Sequence, residues 1–158
     1  MDRLPRVLTR DLARARRSLP DGVEVVPGEL ADPTAVGDAV DGGDAGVMAH
    51  GAPHGAGDYA AVGYGALPAL PDALDGHRLP VVLMSSIGVT AGGGQSRELL
   101  EWKRRGERLL RVSGLPCTIV RPGWFDAGSS SREQVDLRQG DVTEQGPVRR
   151  DHVTETAP

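Results

Sequence analysis

The sequence predicts an α/β fold in which helices cover a doubly wound parallel sheet, and three observations carry that expectation. A unit of short strand, loop and helix recurs between Arg6 and His50, with connections of the length that parallel crossovers need. The stretch from Pro80 to Thr90, PVVLMSSIGVT, opens on an apolar run without alternation, the pattern of a strand covered on both faces. A long helical stretch from about Ser96 to Val112 then leads through Gly114 to another apolar run at Cys117 to Val120. Ligand crevices in such sheets lie outside the carboxyl ends of the strands. Ser85 and Ser86, at the end of the central run, therefore stand where a ligand is expected.

Arg6 to Thr9 forms the first strand, and Asp11 is placed to cap a helix over LARARRSL. Arg14, Arg16 and Arg17 form its solvated face towards the helix end. Gly22 turns the chain into a strand at Val23 to Val26. Asp32 caps the next helix, with Pro33 at its first position and Gly42 or Gly43 as its stop. Asp44 to His50 gives a third strand, and a glycine-rich loop follows from Gly51 to Gly57. A helix is expected from about Asp58, kinked or ended by Pro68 and Pro71. After the central strand, a loop at 91 to 95 precedes the long helix, which Gly114 closes in the left-handed conformation. Leu99, Lys103, Gly106 and Leu110 share one face of that helix, and a lysine on an apolar stripe calls for a reason. Residues 127 to 148 are polar and irregular, with a short strand expected at Val135 to Leu137 and a helix, capped by Asp151, beginning at Arg150.

A chain of 158 residues fits one domain. A net charge of -4, a pI near 5.5 and only 3% aromatic residues argue against a nucleic-acid surface, which needs a basic excess and stacking rings. Cys117 is the single cysteine, and no charged segment with an apolar signal core opens the chain, so a reducing cytoplasm is the expected location. No apolar run approaches the roughly 18 residues of a membrane span. Cys117 lies within a strand and has no local histidine partner, which predicts a buried thiol rather than a nucleophile. His50 and His54 have a helical metal-ligand spacing, but Gly51, Pro53 and Gly55 forbid the helix. The glycines at 92 to 94 lack the Lys-Ser/Thr of a phosphate loop, which leaves a flexible loop.

The succession RVLTRD, VVPGELADP, DAGVMAHGA, VVLMSSIG and WKRRGERLLRVSGLPCTIVRPGWF resembles the atypical short-chain dehydrogenase/reductases, the NAD(P)-binding group that includes NmrA-like proteins. The resemblance covers about residues 6 to 125, and its most specific part is KRRGERLLRVSGLPCTIVRPG. It implies a Rossmann-like sheet and a nicotinamide dinucleotide as cofactor and binding partner, NADP slightly preferred over NAD. It also assigns roles. Arg10 meets the adenosine 2'-phosphate with its planar fork of donors, Glu29 and Leu30 border the adenine, and Gly51 lets backbone approach the cofactor. Ser86 is the catalytic hydroxyl, steadying charge on a substrate carbonyl oxygen, with Ser85 as its alternative or as a cofactor contact. Lys103 matches the lysine of Tyr-x-x-x-Lys, which binds ribose hydroxyls and lowers the tyrosine pKa. Arg121, Pro122 and Gly123 lie beside the nicotinamide.

Two departures qualify the resemblance. Leu99 occupies the tyrosine position and has no proton to give. Family members also open with a strand, a glycine-rich turn and a helix that hold the pyrophosphate, whereas this sequence enters at the family's second strand. The expected fold is therefore an incomplete Rossmann-like domain over 1–158, truncated at both ends. Either the strands at 6 to 9 and 45 to 49 pair directly, or the protein starts upstream. The implied function is NAD(P)(H) binding and NAD(P)H-dependent reduction of a small carbonyl-type substrate. The rivals are a cofactor-sensing or interaction protein and an inactive truncated member, with a homo-oligomer left open.

Overall fold

The computed structural model describes residues 5–51, 58–91, 97–125, 136–144 and 146–156. Strands β1 (Arg6–Thr9) and β2 (Glu24–Pro27) pair in parallel, Arg6 opposite Glu24. A second parallel sheet holds β3 (Gly46–Met48), β4 (Val81–Met84) and β5 (Cys117–Val120), with β4 in the middle. Its register aligns Val47 with Val82 and Val82 with Thr118. The short β6 (Trp124–Phe125) and β7 (Pro147–Val148) form a further parallel pair.

Local chemistry sets the helix starts. Asp11 accepts a hydrogen bond from the Arg14 amide at 2.9 Å and opens α1 (Leu12–Ser18). Asp32 accepts from Thr34 N at 2.9 Å and opens α2 (Pro33–Val40), with Pro33 in the first turn where its missing N–H costs nothing. Asp58 accepts from Ala61 N at 3.0 Å and opens α3 (Tyr59–Tyr64). The next helix, α4 (Ala66–Leu74), follows after Gly65. A proline clashes with the carbonyl four residues earlier in a continuous helix, so Pro68 is consistent with the break after Tyr64. Pro71 lies inside α4 and does not end it, a correction to the expected stop. The long α5 (Arg97–Val112) closes before Gly114, which adopts φ +76° as expected.

The core gathers Leu67, Leu70 and Leu74 of α4, Leu79, Val81 and Leu83 around β4, and Leu110 of α5. Helix α2 packs on α4, and α3 on α5, so these helices share one face of the sheets. Met48 packs against that core. Its neighbour Val47 faces the opposite side, where it is 67% exposed.

Several expectations are corrected. Of the two arrangements left open, direct pairing of β1 with β3 is not found: among the described residues the two sheets remain separate, with a groove between them. Cys117 is exposed rather than buried, because β5 is the edge strand of its sheet. Asp151 lies inside α6 (Arg150–Thr156) rather than capping it, its carboxylate bonded to Arg149 and to the His152 amide. Asp136 and Leu137 are not in a strand, and Val135, His54 and the glycines at 92 to 94 lie outside the described residues. Strand β2 sits one residue later than expected, and β3 is shorter at both ends.

Candidate functional site

Helix α5 carries Lys103 to the carboxyl end of β4 because two glycines let helices touch. A Cβ at Gly106 would stand 2.6 Å from Leu67 Cδ1, and one at Gly63 would stand 3.3 Å from Trp102 Cβ. This close crossing explains the lysine on the apolar stripe. Lys103 Nζ donates to the carbonyl oxygens of Met84 and Ser85, each at 3.3 Å, leaving one ammonium proton for a ligand. Burial lowers its pKa, and the charge of Glu107 opposes that shift. Continuing the β3–β4 register beyond Met48 and Leu83 sets His50 across from Ser85. Burial, then the Lys103 charge, lowers the His50 pKa to about 4, so its imidazole is neutral at pH 7.

Glu107 lies beneath this end of the sheet, only 1% exposed. Its Oε1 accepts from Arg121 Nε at 2.9 Å, and its Oε2 from Arg121 Nη2 at 2.6 Å and Arg111 Nη1 at 3.1 Å. Burial alone would raise the carboxyl pKa; the Arg121 hydrogen bonds, helped by the nearby Ser85 hydroxyl and Arg111, bring it below the usual range. Ser85 Oγ is close enough to favour the carboxylate but stands outside hydrogen-bond geometry. It is buried and without a hydrogen-bond partner. Ser86 Oγ donates to the Ile87 carbonyl at 3.2 Å.

The Arg121 guanidinium is thus held by Glu107, and the turn after it is positioned by close approach. A Cβ at Gly123 would stand 2.0 Å from Gly146 O, which the Trp124 amide bonds at 3.1 Å. Arg121, Pro122 and Gly123 line a cavity of about 480 Å³ with Ile87, Val142 and His152. Beside it, Asp141 fixes the loop after β4, accepting from Gly88 N at 2.9 Å, Thr90 N at 3.0 Å and Thr90 Oγ1 at 2.6 Å.

At the other end of the site, Arg10 and Glu29 follow β1 and β2. Arg10 Nη1 lies 4.0 Å from Glu29 Oε2, and both side chains are largely exposed. Leu30 beside them packs on the core. These three residues and Gly51 line the groove between β1 and β3, a cavity of about 610 Å³. A Cβ at Gly51 would meet nothing within 4 Å, whereas one at Gly28 would stand 2.3 Å from Ala35 Cβ. Gly28 is therefore required by the packing of α2, while Gly51 opens on free space. Ser85, Ser86 and Lys103 line neither cavity. Sequence reasoning assigned no role to Glu107 or Asp141. Glu107 stands four residues after Lys103 on α5 and could have been found there; no signal singled out Asp141 in its polar stretch.

Parallel strands with sites at their carboxyl ends define a nucleotide-binding α/β protein of Rossmann type. The chain belongs to the NAD(P)H-binding family, whose profile matches residues 3–157. No curated protein matches it. Among solved structures, it is similar to an anaerobillin reductase of Escherichia coli, with a TM-score of 0.69, 21% identity, and coverage of 99% of this chain and 80% of that one. A short-chain dehydrogenase/reductase of Veillonella parvula in complex with NADP gives a TM-score of 0.65 and 18% identity, covering 95% and 71%. An Escherichia coli NADPH-dependent quinone oxidoreductase complexed with NADPH gives 0.60 and 17%, covering 76% of this chain. The chain spans only 40% of that enzyme and 62% of a Bacillus halodurans protein titled a putative epimerase/dehydratase. Arg10 and Gly51 border the groove, and Lys103 stands outside it at the carboxyl end of β4.

Proposed function

We propose that this chain binds NADP(H) in preference to NAD(H) across the carboxyl ends of its strands, as the nucleotide-binding part of a cytoplasmic NmrA-like reductase. The observation that carries the reading is Lys103 Nζ, fixed by two carbonyls at the end of β4 beside the neutral His50. Arg10 holds the 2'-phosphate, with Glu29 and Leu30 against the adenosine. Gly51 leaves room for the cofactor, and Lys103 holds the ribose hydroxyls. The bound dinucleotide supplies or accepts hydride. Arg121, through its bidentate hold on Glu107, positions Pro122 and Gly123 at the mouth of the 480 Å³ cavity, which receives a small carbonyl-type substrate. Ser86, next in sequence to the cavity-lining Ile87, donates its hydroxyl hydrogen to the carbonyl once it turns from the Ile87 carbonyl towards the cavity, and the proton comes from water or substrate because Leu99 has none.

Leu99 also favours a second reading, a cofactor-sensing protein that binds the dinucleotide and turns nothing over. Isothermal titration of NADPH and NADH into the 158-residue chain tests the shared core of both. NADPH is expected to bind more tightly, and Arg10→Ala to weaken it about tenfold while leaving NADH unchanged, the loss of one charge-assisted contact. Absence of heat with both nucleotides would overturn the proposal.

A further inference from the structure

A water that protonates a reduced carbonyl oxygen must itself regain the proton, and Leu99 stands where the family's tyrosine would supply it. The described lining of the 480 Å³ cavity offers a replacement. Its Arg121 and Arg138 stay charged in proteins, and each is bound to a carboxylate, of Glu107 and Asp136. Asp136 and Glu144 accept rather than donate when ionised, and the Thr143 hydroxyl does not titrate near neutrality. His152 is the remaining candidate. Histidine ordinarily changes charge between about pH 5 and 8, so it can both give a proton and take one back. The residue is half-buried. Among the described residues its imidazole has no hydrogen-bond partner, and only its amide is engaged, by the Asp151 carboxylate at 3.1 Å.

Both walls of the cavity are pinned. On one, Ile87 N donates to the Pro122 carbonyl at 3.0 Å and Asp141 holds Gly88 and Thr90, which fixes the loop where Ser86 leads into Ile87. On the other, the β6–β7 pair runs directly into α6. The Arg150 guanidinium stands 5.6 Å from the Phe125 ring of β6, which anchors the first turn of the helix that carries His152. The cavity has room for a small carbonyl compound and a water, whose share of space is about 30 Å³. We propose that His152 is the proton source of the reduction, acting through one water between its imidazolium and the substrate oxygen. Hydride from the dinucleotide forms the new C–H bond while the carbonyl π electrons move onto oxygen. That oxygen, steadied by Ser86, takes a proton from the water; the water takes one from the imidazolium, and solvent recharges the imidazole. The inference rests on the proposed binding and reduction and adds the residue that supplies the proton. The charged groups around His152 are the Arg149–Asp151 pair and Arg150 on its own side. Across the cavity they are Arg121, Asp136, Arg138 and Glu144.

Benzaldehyde is the probe, reduced with NADPH in single turnover between about pH 5 and 9, beside calorimetric titration of NADPH into each chain. The rate of the unaltered chain should fall as pH rises through the range where histidine titrates; a flat profile would overturn the inference without any variant. His152→Gln, which cannot titrate, should lower the rate about 100-fold and erase the pH dependence. It should leave NADPH affinity and half-saturating benzaldehyde within about twofold, and added imidazole should restore part of the rate. An undiminished rate, or a lowered rate with the same pH dependence, would overturn the inference and leave the binding reading standing. Failure of the unaltered chain to bind NADPH would overturn that reading and the inference with it. Where NADPH binds but benzaldehyde is not reduced, NMR decides. The His152 ring resonance, assigned by its loss in His152→Gln, should shift its titration midpoint when benzyl alcohol is added to the NADP-loaded chain, and an unmoved midpoint would overturn the inference.

Discussion

Strands β4 and β3 are neighbours in one sheet and carry the same kinds of residue, yet their surroundings differ completely. On the same face of the sheet, Val82 of β4 is 9% exposed, while its register partner Val47 of β3 is 67% exposed. Hydropathy does not separate them. The difference lies in what stands beside each strand: β4 has a partner on both edges, and β3 has one edge on the groove. The buried core gathers around β4, α4 and α5, while β1 and β3 each turn one edge to the groove. Mutations on the two sides of that boundary should therefore behave in opposite ways.

The largest effect is expected beneath β4. Glu107→Ala leaves the Arg121 guanidinium, 15% exposed on its side chain, without its carboxylate, and removing one member of a buried pair costs about 3–5 kcal/mol. Chemical denaturation should show an unfolding free energy lowered by that amount, and a loss below about 1 kcal/mol would mean that the pair is not a structural anchor. Leu83→Ala empties a site in the core cluster and should cost about 2–5 kcal/mol. Val47→Ala, one strand away, should change stability by less than about 0.5 kcal/mol. Equal losses at the two positions would remove the contrast between the strands.

What was legible in the sequence divides along the same line. Asp11, Asp32 and Asp58 cap helices through hydrogen bonds to amides two or three residues on, so residue type and spacing were enough to place them. The unbroken apolar run of β4 announced a strand covered on both faces. Whether β1 and β3 pair was left open by the sequence, because pairing depends on which strands α2 and α4 hold within reach. Glu107 meets Arg121 across 14 residues and Asp141 meets Gly88 across 53. Such pairs have no local spacing that marks them. Cys117 sits in an apolar pattern suited to burial, yet its strand is an edge, and edge position is a property of the assembled sheet. Arg10, Glu29, Leu30 and Gly51 were placed by resemblance and come together along one groove. Ser86 and Lys103 come to the carboxyl end of β4, away from both cavities.

A further effect separates the two regions by pH. His50 ordinarily titrates at 6.5 and in the folded chain at about 4, through burial and then the Lys103 charge. Between those values the unfolded chain binds a proton that the folded chain refuses, so stability falls as pH drops from 6.5 towards 4. Glu107 acts lower: its folded pKa lies below the usual 4.5, so its contribution is present above that value and is lost as pH falls through the folded pKa. Melting temperature followed from pH 8 to 3 should thus decline in two stages. His50→Gln, which cannot protonate, should flatten the first stage and leave the second, because only the second belongs to the closed region around β4. A first stage that persists in His50→Gln would show that another group titrates there and that His50 is not held neutral beside Lys103.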